Sequence, residues 1–455
     1  MKSRPAAIAA FGAAVALVLT GCAGTGSGDD AGGESKTVKV AYQKFGAFTQ
    51  LDAHMKSVKT AFEAANKGVT VELVPIEAQE NDYATKLALM NQSASTAPDV
   101  MYEDTFKVMS DVDAGYLAPL DSYTADWADW DKFYDNAKSA GLGGDGKTYG
   151  IPMGTDTRAL WYNKDLFAQA GLPVPWAPKT WAEVLDAATT IKAKLPDVLP
   201  LNVYSGKAHG EGATMQGFEM LLYGTDDTLY NSDDQKWVAG SQGFTDSLTF
   251  IKDLYQGDLG PTPEQALDKN VGTMISGEWL PQGKLAIDLD GSWLSGTWLE
   301  TGTAPWPEWS EVLGQAPMPT QDGQEPGANS MSGGWTLAMG AQSKNKDAAW
   351  EFISLALNKD NAQAYDIAAS QIAVRSDVSE DPDFQASNPS VGFFSKIVEY
   401  THFRPATSEY GKISNEITVA MEAVMTGQQS PEEAAATYDK ALTGIVGDAN
   451  TTSAK

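Results

Sequence analysis

Three consecutive segments set the fold class. Val38, Val40 and Tyr42 alternate with Thr37, Lys39 and Ala41, the two-residue period of a strand. Leu51, His54/Met55, Val58, Ala61/Phe62 and Ala65 then recur at helical spacing, and Val69, Val71 and Leu73 alternate again. A strand, a helix and a second strand in this order predict a parallel pair joined by a crossover helix, so the chain reads as α/β. Later segments extend the pattern. Thr180-Trp181-Ala182-Glu183 predicts a capping box opening a helix with Trp181, Val184, Leu185, Ala188, Ile191 and Leu195 inside. Lys346 to Leu357 predicts a helix with Ala349, Phe352, Ile353 and Ala356 on one face. Ser430-Pro431-Glu432-Glu433 starts another, striped by Ala435, Tyr438, Leu442 and Ile445 and stopped at Gly447. Residues 448–455 are small and polar and are expected to form a disordered tail. No repeat is present, and 455 residues allow two or three domains or two large lobes.

Composition narrows the function classes. Asp and Glu number 60 against 32 Lys and Arg, a formal net charge of −28. Such a surface repels phosphate backbones and anionic headgroups, so nucleic acid is not an expected partner. Three His and one Cys leave no disulfide framework and no Cys-ligated zinc from this chain alone. No metal or cofactor is expected.

Lys2 and Arg4 precede an apolar run from Ala6 to Leu19 that ends in Leu19-Thr20-Gly21-Cys22. This resembles a bacterial lipobox, in which the signal peptide is removed and the new N-terminal Cys carries lipid. The alternative is a plain secretory signal with an incidental Cys. Ala23 to Ser35 is Gly, Ser, Thr and Asp with almost nothing to bury, a flexible tether.

Several motifs fail on context. Gly141-Leu142-Gly143-Gly144-Asp145-Gly146 fits a dinucleotide fingerprint, yet no strand precedes it and Lys147 to Pro152 follows where a helix is required. His54, His209 and His402 lie far apart in the chain, which gives Ser–His or metal chemistry little support. Asp126, Asp129 and Asp131 are interleaved by Trp127 and Trp130 and lack the glycine of a calcium loop.

The aromatics are more telling. Seven of the 13 Trp fall between 279 and 350: Trp279, Trp293, Trp298, Trp306, Trp309, Trp335 and Trp350. Trp293 follows Asp290-Gly291-Ser292, and Trp335 follows Ser332-Gly333-Gly334. A Trp beside Gly stands clear at a loop end. A sugar presents an apolar face of C–H groups and a rim of hydroxyls, so it needs flat platforms with carboxylates, amides and Arg around them. A core or interface place is the competing fate of each Trp.

Ala97-Pro98-Asp99-Val100, Asp104 and Gly115-Tyr116-Leu117-Ala118-Pro119-Leu120 resemble the first-lobe signature of bacterial extracellular solute-binding proteins of the sugar-binding, maltose-binding-protein-like type. Tyr149-Gly150-Ile151-Pro152, Ala159 to Phe167, Lys179-Thr180-Trp181, Gly283-Lys284-Leu285-Ala286, Gly291-Ser292-Trp293, Gly333-Gly334-Trp335 and Ala348 to Ile353 follow in the same order. The resemblance covers about 37–447.

It implies a periplasmic-binding-protein-like fold, two discontinuous α/β lobes joined by hinge strands around a ligand cleft. With residues 1–21 as signal peptide and 22–36 as lipidated Cys and tether, lobe one is expected at 37–153 plus 319–372, and lobe two at 154–318 plus 373–447. Hinges are expected near Met153 to Thr155, Pro317 to Pro319 and Ala373. Asp104, Asp156, Trp293, Gly334 and Trp335 are the implied ligand contacts, followed by Tyr42, Gln43, Phe45, Tyr204, Trp279 and Arg375. Ala373 stands where relatives carry Pro, which weakens the case for Arg375. The 205–220 region, which opens with Ser205 to Gly212, has no family anchor and is expected to shape specificity.

The implied function is non-enzymatic. A monomer, lipid-anchored through Cys22 on the extracellular face of a bacterial cytoplasmic membrane, captures a carbohydrate, most simply an oligosaccharide, and delivers it to an ABC transporter permease. Two alternatives remain: the same fold holding a cation such as a polyamine or basic peptide through Asp104, Asp156 and Glu211, or a secreted glycosidase.

Overall fold

The structure, a computed structural model, describes residues 36–44, 46, 48–78 and 80–454. The expected signal segment, Cys22, the tether to Ser35 and Phe45 lie outside the described residues. The described chain forms strands β1 (Lys36–Lys44), β2 (Val69–Glu77), β3 (Val100–Asp104), β4 (Gly150–Pro152), β5 (Arg158–Asn163), β6 (Leu199–Asn202) and β7 (Tyr230–Asn231). It continues with β8 (Lys236–Ala239), β9 (Leu285–Gly291), β10 (Leu313–Ala316), β11 (Ser330–Met331), β12 (Trp335–Met339), β13 (Thr401–His402) and β14 (Thr451–Ser453).

The alternating run at the start becomes β1, with Val38, Val40 and Tyr42 fully buried. The helix Gln50–Ala65 crosses over and returns the chain to β2, which lies parallel to β1 with Val38 opposite Val71. The first sheet runs β2-β1-β3-β12-β4, with β12 antiparallel to both neighbours. Its core gathers Val40, Leu51, Met55, Phe62, Leu337 and Phe352. The second sheet runs β10-β5-β9-β6. All six residues of β5 and all seven of β9 are buried, because helices cover both faces. Trp161, Trp298 and Trp309 meet there at ring separations of 5.5 to 5.9 Å, so the second core absorbs much of the tryptophan run.

The chain passes from the first sheet to the second between Pro152 and Arg158. The later crossings differ from expectation. Met318 and Met331 pack in the second core, and Ser330 Oγ donates to Arg158 O at 2.9 Å, so the return to lobe one comes at Ser332–Gly334 and not near 319. There Gly334 is required: its φ is +140°, and a Cβ would lie 2.6 Å from Gly154 O of the neighbouring crossing. Ile372 bridges Thr155, but the segment after it stays on the first lobe. Tyr134 N donates to Val374 O, and Tyr134 Oη meets Ser379 Oγ at 2.6 Å. The chain rejoins the second core at Phe393 and Phe394. Periodicity does not reveal these points, because a crossing is set by which core takes the next apolar side chain.

Two local expectations are also corrected. Residues 448–455 are not a disordered tail over the described part: Thr451–Ser453 is a strand paired parallel to β8. At Thr180 the box is half made. Thr180 Oγ1 accepts from Glu183 N, while Glu183 reaches back to Lys179 N instead of Thr180 N. No helix among the described residues is long and apolar enough to cross a membrane.

Candidate functional site

Two cavities lie at the lobe junction. The larger, about 560 Å³, is walled by the hinge crossings and by residues such as Tyr134, Ile372, Phe384 and Phe403, and no charged side chain lines it. The smaller, about 210 Å³, gathers four carboxyls (Asp104, Asp156, Glu211, Asp290), two guanidiniums (Arg158, Arg404) and the indoles of Trp293 and Trp335. Convergent polar groups in an apolar-walled recess mark the smaller one as the candidate site, despite its size.

Strand ends position the first-lobe groups. Asp104 closes β3 and caps the helix Thr105–Asp113, its Oδ1 accepting from Phe106 N at 3.2 Å. Arg404 reaches it from the second lobe, with Nη2 at 2.6 Å from Oδ1. Trp335 opens β12, stacks on Tyr102 with ring centroids 4.3 Å apart and planes 4° from parallel, and lines the cavity. Gln43 at the end of β1 lines the same wall.

Asp156 sits on the first crossing. Its Oδ1 accepts from Gly333 N at 3.0 Å and contacts Arg158 Nη1 at close range. Arg158 begins β5, donates to Met331 O and lays its guanidinium 4.7 Å from the centre of the Trp293 ring. Gly291, the last residue of β9, makes that placement possible: a Cβ there would come within 2.0 Å of the indole. In the Gly-Ser-Trp run the glycine thus clears space for the flat ring two residues on.

The segment without a family anchor supplies the opposite wall. Tyr204 stacks on His209 at 4.1 Å and donates to Asp290 Oδ2 at 2.9 Å. Burial raises Asp290 to about 6, opposed by the Gly291 amide and the Tyr204 hydroxyl. Burial holds His209 down at about 4, so its ring is a neutral hydrogen-bonding group. Two π-helical turns, Thr214–Phe218 and Ile275–Trp279, present Met215, Gln216 and Ser276 to the cavity. Such turns re-aim side chains at functional sites.

The structure thus brings together Asp104, Asp156, Trp293, Gly334, Trp335, Gln43 and Tyr204. Three expected contacts stand elsewhere. Tyr42 is buried in the first lobe and donates to Asp52 at 2.6 Å. Trp279 packs in the second core. Arg375 is 1% exposed and forks onto Asp377 and Asp129 while donating to Leu357 O, so it ties the 373–387 segment to lobe one. Phe45 lies outside the described residues. Sequence reading missed Arg158, Gln371 and Arg404 as cavity-lining residues, and held His209 only within the 205–220 segment. Arg158 had a signal, two residues after Asp156 at the start of a buried strand. Arg404 had none, since its partner Asp104 lies 300 residues away.

Against known proteins, residues 47–363 match the family described as bacterial extracellular solute-binding protein. A binding protein of Brucella abortus (strain 2308) is 26% identical over 91% of this chain and 95% of its own. The diacetylchitobiose binding protein DasA of Streptomyces coelicolor is 28% identical over 75% of this chain and 76% of its own. The solved GacH receptor of Streptomyces glaucescens GLA.O, determined unliganded and with acarbose, superposes with a TM-score of 0.76 at 26% identity, over 91% of this chain and 99% of that one.

Proposed function

The chain belongs to the bacterial extracellular solute-binding proteins, and on that premise we propose that it captures a carbohydrate between its lobes and delivers it to the permease of an ABC importer. The family and the fold are those of substrate-binding proteins, not enzymes. The observation that carries the reading is the meeting of Trp293 from lobe two and Trp335 from lobe one in one cavity with carboxyls and guanidiniums. Indole faces take the C–H face of a sugar, and the charged groups take its hydroxyls. The acarbose-binding and diacetylchitobiose-binding relatives support the ligand class.

Capture works by closure. Ligand shifts the lobes together only by binding the closed arrangement better than the open one. Groups from both lobes therefore have to contact it at once, as Asp104 and Trp335 on one side and Trp293 and Asp290 on the other are placed to do. The closed form is what the permease recognises. Cys22 carries the lipid that holds the protein at the membrane. An oligosaccharide is the expected cargo.

A second reading rests on the surplus of acids, four carboxyls against two guanidiniums, which suits a cation such as a polyamine. Thermal shift of the full chain against neutral mono-, di- and oligosaccharides, with spermidine beside them, separates the two. A ligand at 100 times its dissociation constant stabilises by ~2.7 kcal/mol. A sugar shift without hydrolysis product by mass supports the carbohydrate receptor. A shift with spermidine alone moves the function to the cation.

A further inference from the structure

Behind the cavity wall, in the second lobe, Tyr410 Oη stands 2.7 Å from Glu211 Oε1 and 2.8 Å from Glu219 Oε1. A phenol has one proton and donates one hydrogen bond. The second contact is therefore satisfied only if a carboxyl donates to the phenol oxygen, so the pair holds a proton. The surroundings say which carboxyl holds it. Glu211 also accepts from Ser414 Oγ and faces Arg404 Nη1 at 3.4 Å, the partners of an anion. Glu219 is fully buried, and its Oε2 has no hydrogen-bond partner. An unpartnered oxygen is tolerable on a neutral acid and costly on a carboxylate. The order of donation is thus Glu219 O–H to Tyr410, Tyr410 O–H to Glu211, with Arg404 bridging Glu211 to Asp104 across the lobes.

We propose that Glu219 is a positioning residue of the cleft, holding one proton beside Glu211 and so favouring the closed arrangement in which Asp104 of the first lobe meets Arg404 of the second. The proposal rests on the reading of this cavity as a cleft that closes. Its charge arithmetic is simple. With Glu219 neutral, Arg404 faces two carboxylates, Asp104 and Glu211. When Glu219 ionises, a second negative charge joins Glu211 on Arg404, so the guanidinium's charge is offset within lobe two and its attraction for Asp104, the group that arrives only on closure, weakens. By linkage, opening admits water to this region and lowers the proton affinity of Glu219, so the proton and closure favour each other.

Other groups around Glu219 do not cancel this. Arg158 on β5 acts in the same sense as Arg404 and stabilises its anion. The phenols of Tyr223 and Tyr438 face it and are pushed up by their own burial, so they stay neutral and add no charge. Burial and the neighbouring Glu211 charge push Glu219 up to about 8, opposed by Tyr410, Arg404 and Arg158. The transition therefore falls where solution measurements are easy.

The test needs no sugar. Small-angle scattering of the ligand-free full chain is followed across about two pH units centred near 8. The expected result is an increase in radius of gyration as pH rises, with the closing equilibrium changing by at most about tenfold per pH unit. Glu219→Gln keeps a neutral donor and is expected to hold the compact value throughout. An identical pH response in both proteins, or none in the wild type, overturns the proposal. If Glu219→Gln does not fold, infrared titration of the wild-type protonated-carboxyl band decides. Loss of that band together with the expansion supports the proposal, and a band absent or unchanged over the same range overturns it. Failure of every sugar in the thermal panel leaves this readout intact, so the two ideas fail separately.

Discussion

Replacing Trp293 by Ala removes the indole that Gly291 leaves room for and that Arg158 faces from 4.7 Å. Sugar affinity, measured by titration calorimetry, is expected to fall by ~1–2 kcal/mol, because a stacked indole supplies much of the buried apolar area. Arg375→Ala is the contrasting variant. It leaves Leu357 O unpaired and two carboxylates, Asp129 and Asp377, without their cation. Unfolding stability is expected to drop by about 3 kcal/mol, the low end for a broken buried pair because both acids are partly solvated, with affinity unchanged. Affinity lost in Arg375→Ala at intact stability would return Arg375 to the site. The contrast shows what was readable. Trp293 announced itself through small neighbours in its own segment. Arg375 and Arg404 are both Arg in late loops. Only the fold reveals that the first is tied to Asp129 behind the hinge and the second faces the cleft.

Elements with a clear period were legible, and those whose geometry depends on one hydrogen-bond step were not. The crossover unit β1, Gln50–Ala65 and β2 stands as its alternation implies. Ser430 closes its capping box with Glu433 as its spacing implies. The two π-helical turns that carry Gln216 and Ser276 were invisible, because an α turn and a π turn share the same apolar spacing over five residues. The C-terminal strand was misread for another reason. Thr451-Thr452-Ser453 has no apolar residue to pattern, and its place comes from backbone pairing with the exposed side of β8. Deleting residues 448–455 is expected to speed amide exchange across β8, Lys236–Ala239, by about tenfold, the equivalent of ~1.4 kcal/mol of local protection. Unchanged exchange would mean that the tail contributes nothing to the sheet it adjoins.

At the scale of the whole molecule, the acidity seen in the sequence is not confined to the surface. Glu103, Glu219, Asp288 and Asp366 are at most 3% exposed, and burial pushes each of them up. A group with a folded pKa above its unfolded value gives its full stability below the unfolded value and loses it as pH rises through the folded one. For Glu219 that loss runs from the ordinary Glu range to about 8, and for Asp290 to about 6. His54 and His209 act in the opposite sense. Burial holds both near 4, so each costs stability as pH falls below the ordinary imidazole value of 6.5. Below that value the two sets oppose each other. Above it the imidazoles are neutral in both states, and only the buried acids respond. The melting temperature of the ligand-free chain is therefore expected to decline steadily from about pH 6.5 to about pH 8, at no more than about 1.4 kcal/mol per pH unit for each acid titrating. Calorimetry across that range checks it, and Glu219→Gln should flatten part of the decline while leaving the remainder. A melting temperature that rises with pH over the same interval would mean that these carboxyls are ionised and paired in the folded chain. The shared proton at Tyr410 would then have no place in it.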